Sequence, residues 1–132
     1  MKFLTTLLSV FCLAGTAFAG PSQIGSISHD ELNAAIAAKQ VTVIDVNGTS
    51  SFKSGRIPGA IDYSAHKKNL AAALPQDKNA LVVAYCGSEK CGAYKSAANA
   101  AIALGYTNVK HYSPGIAGWK KSGAPLEKSA GE

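Results

Sequence analysis

LVVAYCGSEKCG, residues 81–92, joins an apolar, β-type run to a short polar loop that holds two cysteines, and an alanine-rich segment follows it. A run of this kind reads as a buried strand, here Ala80 to Tyr85. The alanine-rich stretch from Tyr94 to Leu104 reads as a helix closed by Gly105, a residue suited to a helix C-terminus. Cys86 therefore stands where a strand hands over to a helix N-terminus, and loop amides and helix dipole both favour a thiol anion there. That makes Cys86 the candidate nucleophile. The plainer alternative is a small apolar residue closing off a strand end.

Working outward, strands and helices alternate. Ser28-His29-Asp30-Glu31 is a capping-box pattern that opens a helix reaching about Lys39, with Leu32, Ala35, Ile36 and Lys39 at helical spacing. Val41 to Val46 (VTVIDV) is a β-branched strand. Asn47 to Gly59 reads as a polar, glycine-containing connection, Ala60 to Tyr63 as a short strand, and Lys67 to Leu74 as a helix stopped by Pro75. Val109 to Tyr112 is the last expected strand and Ile116 to Lys121 a short final helix. This order predicts an α/β fold with a mostly parallel sheet. In such sheets, sites lie beyond the carboxyl ends of the strands, where Cys86 and the Asp45-Val46 pair both fall. Ala93, Ala97, Ala100, Ala101 and Leu104 share one helix face, whose small side chains allow close approach to the sheet.

The first residues carry an address. Lys2 precedes an apolar run ending in Ala17-Phe18-Ala19, a small-x-small site, so residues 1–19 read as a secretory signal peptide cleaved before Gly20. The run is short for a membrane span. Phe11 is too bulky to precede a lipidated Cys12. Residues 20–132 are then expected to form one exported domain, periplasmic or secreted, of ordinary size for a single core. Cleavage removes Cys12 and leaves Cys86 and Cys91 in an oxidising compartment, where a reversible disulfide becomes relevant. With 13 basic against 8 acidic residues, the whole chain has a formal charge of +5, and loss of Lys2 lowers it by one. That balance favours small anionic substrates or an acidic partner. The lysines are scattered, without the stripe or aromatic platform that nucleic acid requires. A monomer without membrane attachment is the expected mature form.

VIDV at 43–46, SGRIPGAIDY at 54–63, VVAYCGSEKCG before the helix, LGYTNV at 104–109 and GIAGW at 115–119 together resemble single-domain rhodaneses, which are sulfurtransferases. The resemblance spans nearly all of residues 20–132. It implies a rhodanese-like fold and a catalytic cysteine, at Cys86, that carries sulfane sulfur as a persulfide passed from a donor such as thiosulfate or polysulfide to a thiophilic acceptor. Such a thiolate and its persulfide need donors, and the amides of Gly87, Ser88, Glu89, Lys90, Cys91 and Gly92, curled into a nest, are the expected anion-binding loop. Gly87 and Gly92 are expected to permit its curvature, and Ser88 to add a hydroxyl.

The departures from the family pattern are informative. Cys91 stands where many rhodaneses place an arginine, leaving Lys90 as the nearest cation, a point charge without a planar fork, so thiosulfate is expected to be a weak substrate. Asn47 replaces an arginine common after the Asp-Val pair, and Arg56 a histidine common before Ile-Pro-Gly-Ala. Asp45 and Arg56 read as supporting residues, bracing segments around the loop, and Trp119 reads as core. Cys91, five residues after Cys86, is a candidate resolving thiol or else a packing residue. The two cysteines with His29, His66 and His111 lack a compact metal-ligand spacing, so neither metal nor other cofactor is expected. A thiol redox protein using Cys86 and Cys91, and a rhodanese-like binding module without turnover, are the alternatives. Phosphatase or arsenate reductase chemistry is disfavoured by the missing loop arginine.

Overall fold

The computed structural model describes residues 23–130; the expected signal peptide and Cys12 lie outside the described residues. The elements in chain order are β1 (Gly25–Ser26), α1 (His29–Ala37), β2 (Thr42–Asp45), α2 (Thr49–Ser54), β3 (Ile61–Asp62), α3 (Tyr63–His66), α4 (Leu70–Ala73), β4 (Val82–Tyr85), α5 (Tyr94–Ala103), β5 (Val109–His111) and α6 (Gly115–Lys121). The five strands form one sheet in the order β1-β5-β4-β2-β3, and every pairing within it is parallel. The expected α/β class is therefore found.

Alternation along the strands divides the core between the two faces of the sheet. Ile44, Val82 and Ala84 pack with Leu70, Leu74, Ala97, Ala98 and Ala101 beneath α4 and α5. Val43, Val83 and Tyr85 pack on the opposite face with Leu32, Ile57, Tyr112 and Trp119, under α1 and α6. β4 is buried at every position because both of its neighbours are strands and both of its faces are covered.

Several boundaries differ from expectation for local reasons. The capping box forms as read: the Ser28 hydroxyl accepts from the Glu31 amide at 3.2 Å, and the Glu31 carboxylate accepts from the Ser28 amide at 2.9 Å. The helix stops at Ala37, short of Lys39, because Lys39 turns left-handed (φ 55°) and the amide of Gln40 bonds back to Ala35 at 2.9 Å. Gly105 does the same for α5 with φ 96°. The Asn47 to Gly59 connection contains α2, which escaped notice because it starts at Gly48 with no side-chain cap and Phe52 is its one apolar side chain. Of the helix expected over Lys67–Leu74 only α4, Leu70–Ala73, forms, and a separate short helix, α3, precedes it over Tyr63–His66. Asp62 caps α3 through the Ser64 amide at 2.9 Å, which also ends β3 before Tyr63. β1 was not anticipated; it is the dipeptide Gly25-Ser26 at the sheet edge.

Candidate active site

Cys86 lies immediately beyond β4 and is 1% exposed. Its thiol donates to the carbonyl of Cys91 at 3.3 Å, drawing the two ends of the loop together. The cysteines are both free. The amides of Gly87 and Tyr94 favour the Cys86 thiolate, and those of Ala93 and Gly87 the Cys91 thiolate. Ala93 caps α5 and Tyr94 begins it; the helix has no side-chain cap, and its Lys95 and Ser96 amides bond to the carbonyls of Gly92 and Ala93. The Cys91 amide is already occupied by the Ser88 carbonyl at 3.1 Å.

Two expectations change here. No residue between 86 and 93 has a positive φ, so the loop is not a nest of alternating right- and left-handed residues, and Gly87 and Gly92 do not supply its curvature. The anion donors are three amides, one at the start of the loop and two at the start of the helix. The second change concerns which thiol ionises. Burial pushes the Cys86 thiol above its ordinary range, and its hydrogen bond with Cys91 adds to this. The Cys91 thiol moves the other way, held down first by the hydrogen bond from Cys86 and then by the Ala93 amide. The dipole argument holds for the site but was applied to the wrong sulfur: desolvation at the strand end outweighs the amides for Cys86. The better-solvated Cys91 carries the first negative charge of the pair.

The left-handed glycine that shapes the site is Gly115, at the start of α6 (φ 63°). A Cβ there would stand 2.5 Å from the Cys86 carbonyl oxygen and 2.8 Å from both the Gly87 carbonyl carbon and the Ser88 nitrogen. This contact lets the amides of Ile116 and Ala117 bond to the carbonyls of Cys86 and Gly87 at 2.9 and 3.0 Å. The first residues of the loop are thereby clamped from the α6 side. GIAGW was legible as a motif, but nothing local to it indicated that its glycine touches a segment so distant in sequence.

Asp45 braces from beneath. Its carboxylate accepts from the Tyr85 hydroxyl and, at 2.7 Å, from the Asn47 amide, while the Tyr85 oxygen accepts from the Ile57 amide at 3.1 Å. Burial raises the Asp45 carboxyl pKa and that of Tyr85 too. Arg56 faces away from the thiols: it clasps Glu127 at 2.8 Å, donates to the Phe52 carbonyl at 3.1 Å and lies over the Phe52 ring, fixing the C-terminal segment. Trp119 is buried and donates to the Pro125 carbonyl at 2.8 Å, as a core residue with its polar edge satisfied.

Clefts of about 350 Å³ open on two sides of the loop. One is lined by Asn47, Ser50, Ser54, Gly87, Ile116 and Lys120. The other is lined by Ser88, Glu89, Lys90, Pro114, Ala117 and Lys121. Glu89, Lys90 and Gly92 are exposed. The loop's cationic surroundings thus include Lys120 and Lys121 of α6, which a reading of neighbouring sequence positions passed over. Tyr94 stacks on His111 with ring centroids 3.3 Å apart, holding the first turn of α5 against β5. Among the described residues no group of three or more His, Cys, Asp or Glu side chains is placed to hold a metal ion. No helix of the described residues is long and apolar enough to cross a membrane.

Comparison with known proteins agrees with this geometry. Residues 28–122 match the rhodanese-like domain. A curated relative, the HTH-type transcriptional regulator Rv0324 of Mycobacterium tuberculosis, is 32% identical over 123 residues; the match takes in 89% of this chain but 53% of the regulator, so the chain spans about half its length. Among solved structures, BH2092 of Bacillus halodurans superposes with a TM-score of 0.68 at 25% identity, covering 79% of this chain and 77% of that one. SseA of Escherichia coli, described as a 3-mercaptopyruvate sulfotransferase, gives 0.66 at 18% identity over 83% of this chain and 52% of its own. The human single-domain sulfurtransferase TSTD1 gives 0.58 at 23% identity over 75% and 97%. With the parallel sheet, the cysteine loop beyond β4 and the domain match all in agreement, the chain belongs to the rhodanese-like domain family.

Proposed function

We propose that the protein is an exported sulfurtransferase that stores sulfane sulfur as a persulfide on Cys86 and passes it to a thiophilic acceptor. The observation that carries this reading is the seat of the Cys86 sulfur: buried immediately beyond the central strand, bonded to the Cys91 carbonyl across the loop, ahead of an uncapped helix. A persulfide formed there would place its anionic outer sulfur among backbone donors without needing a metal. SseA and TSTD1, whose names describe sulfur transfer, have the same fold and support the reaction class. Without a loop arginine, polysulfide is the better donor and thiosulfate the weaker one.

The pair of free thiols favours a second reading, a redox protein cycling between dithiol and disulfide. In the sulfurtransferase reading the same disulfide is a discharge route. The Cys91 thiolate attacks the inner sulfur of the Cys86 persulfide, the Cys86–Cys91 bond forms and the outer sulfur leaves as hydrosulfide. Mass spectrometry after incubation with thiosulfate or inorganic polysulfide separates these readings. A gain of one sulfur on the Cys86 peptide is expected. Loss of two hydrogens without sulfur gain would favour the redox protein, and an unchanged mass would favour a binding module. Export is tested by N-terminal sequencing of the protein recovered from cells, with Gly20 expected and retention of Met1 refuting it.

A further inference from the structure

We infer that Cys91 is the loading thiol of this site: it takes sulfur from the donor and relays it to Cys86, which is the storage thiol. The inference rests on the sulfurtransferase reading and adds an order of events to it. Cys86 is 1% exposed, and its S–H points at the Cys91 carbonyl 3.3 Å away. Cys91 is partly exposed where Cys86 is buried, so of the two it is the thiol open to a donor arriving from solvent. The 3.3 Å bond from the Cys86 thiol to the Cys91 carbonyl brings the two residues together across the loop, one buried and the other partly exposed. The lowered Cys91 pKa and the raised Cys86 pKa follow from the same arrangement. Thiolate, not thiol, is the nucleophile in sulfur exchange.

The relay balances without an oxidant. The Cys91 thiolate attacks the outer sulfur of thiosulfate or the terminal sulfur of a polysulfide. A Cys91 sulfur–sulfur bond forms, and sulfite or the shortened polysulfide leaves with the electron pair of the broken bond. Cys86 then attacks the outer sulfur of the Cys91 persulfide. The new bond forms at Cys86, the electron pair of the old one returns to Cys91, and the Cys86 proton moves to the Cys91 sulfur. One sulfur has moved inward, one proton outward, and the net charge of the pair is unchanged. Cys91 is regenerated as a thiol beside a persulfide that is shielded from solvent.

Two measurements on the full chain test the inference. Brief labelling with iodoacetamide at neutral pH, followed by peptide mapping, assigns the label among the chain's three cysteines. Of the site pair, Cys91 is expected to label first, and earlier labelling of Cys86 would overturn the order. Loading by inorganic polysulfide is then followed by rapid quench and mass spectrometry. In Cys86→Ser the sulfur is expected to remain on Cys91. In Cys91→Ser, Cys86 is expected to load more slowly than in wild type, because the buried thiol must then meet the donor itself. Equal loading rates of Cys86 in wild type and Cys91→Ser would overturn the relay. If the wild type took up no sulfur at all, the proposed function would fall, while the labelling order would still decide which thiol reacts first.

Discussion

Gly115→Ala isolates the contact between α6 and the cysteine loop. Two costs add. An L side chain at φ 63° occupies left-handed space, at about 1–2 kcal/mol. The new methyl would stand 2.5 Å from the Cys86 carbonyl oxygen, so backbone must move. Overpacking of this kind costs about 1–3 kcal/mol. Together they give roughly 2–5 kcal/mol, and at about 4 °C per kcal/mol for a domain of this size the melting temperature falls by roughly 10–20 °C. Gly123→Ala is the control. Its φ is also left-handed, at 78°, but nothing lies within 4 Å of its added Cβ, so it bears the backbone cost alone. Thermal and urea unfolding followed by circular dichroism measure both variants. Gly115→Ala should lose about 1–3 kcal/mol more than Gly123→Ala, and its Cys86 should alkylate faster as the Ile116 and Ala117 amides leave their carbonyls. Equal losses in the two variants would refute the argument, because only the close approach to Cys86 distinguishes them.

Tyr85→Phe removes the hydroxyl that links Asp45 to the Ile57 amide and strands both groups in the interior; a loss of roughly 2–4 kcal/mol is expected by urea unfolding. Glu127 has a lowered carboxyl pKa, chiefly through the Gly59 amide and then Arg56. Its folded value lies below its unfolded one, so its stabilisation is present above the ordinary glutamate range and is lost as pH falls through the folded pKa. The melting-temperature difference between wild type and Glu127→Gln should therefore shrink from pH 7 to pH 3, and a difference constant with pH would contradict the clasp. Cys91→Ala, once loaded by polysulfide, should hold its persulfide longer than wild type because hydrosulfide release through the Cys86–Cys91 disulfide is closed, as timed by cyanolysis; an unchanged lifetime would reduce Cys91's part in discharge to packing.

What the sequence made legible was local. The Ser28 capping box, the left-handed Gly105 and the β-branched run into Cys86 each announce themselves within a few neighbours, whereas the face α5 turns inward is Ala97, Ala98 and Ala101, with Ala93 and Leu104 exposed. α2 and the break between α3 and α4 were hidden because they depend on backbone conformation at Gly48 and on the Asp62 cap. At the candidate site the thiol expected to be depressed, Cys86, is the one that burial raises, and Cys91 is the one held down. The helix dipole can be inferred from residue order, whereas the burial of Cys86 beneath α6 requires knowing where a distant helix lands. Gly115, the Tyr85 hydroxyl and Glu127 were missed for the same reason: each acts on a segment far from it in the chain. The Asp45 carboxylate bonds to Tyr85 and Asn47, and Arg56 to Glu127 of the C-terminal segment, partners that residue order alone does not reveal.

Because α6 completes the seat of Cys86, the order of synthesis has a chemical consequence. Both thiols leave the ribosome ahead of Gly115, Ile116 and Ala117, so the nascent chain exposes a cysteine pair before the helix that covers one of them exists. During that interval the difference in burial that separates Cys86 from Cys91 is absent, and the two sulfurs compete on equal terms for any oxidant or sulfur donor. On the relay reading, the distinction between the thiols is acquired only when α6 docks on the loop, and a chain truncated before α6 would retain both cysteines without the amides that clamp Cys86.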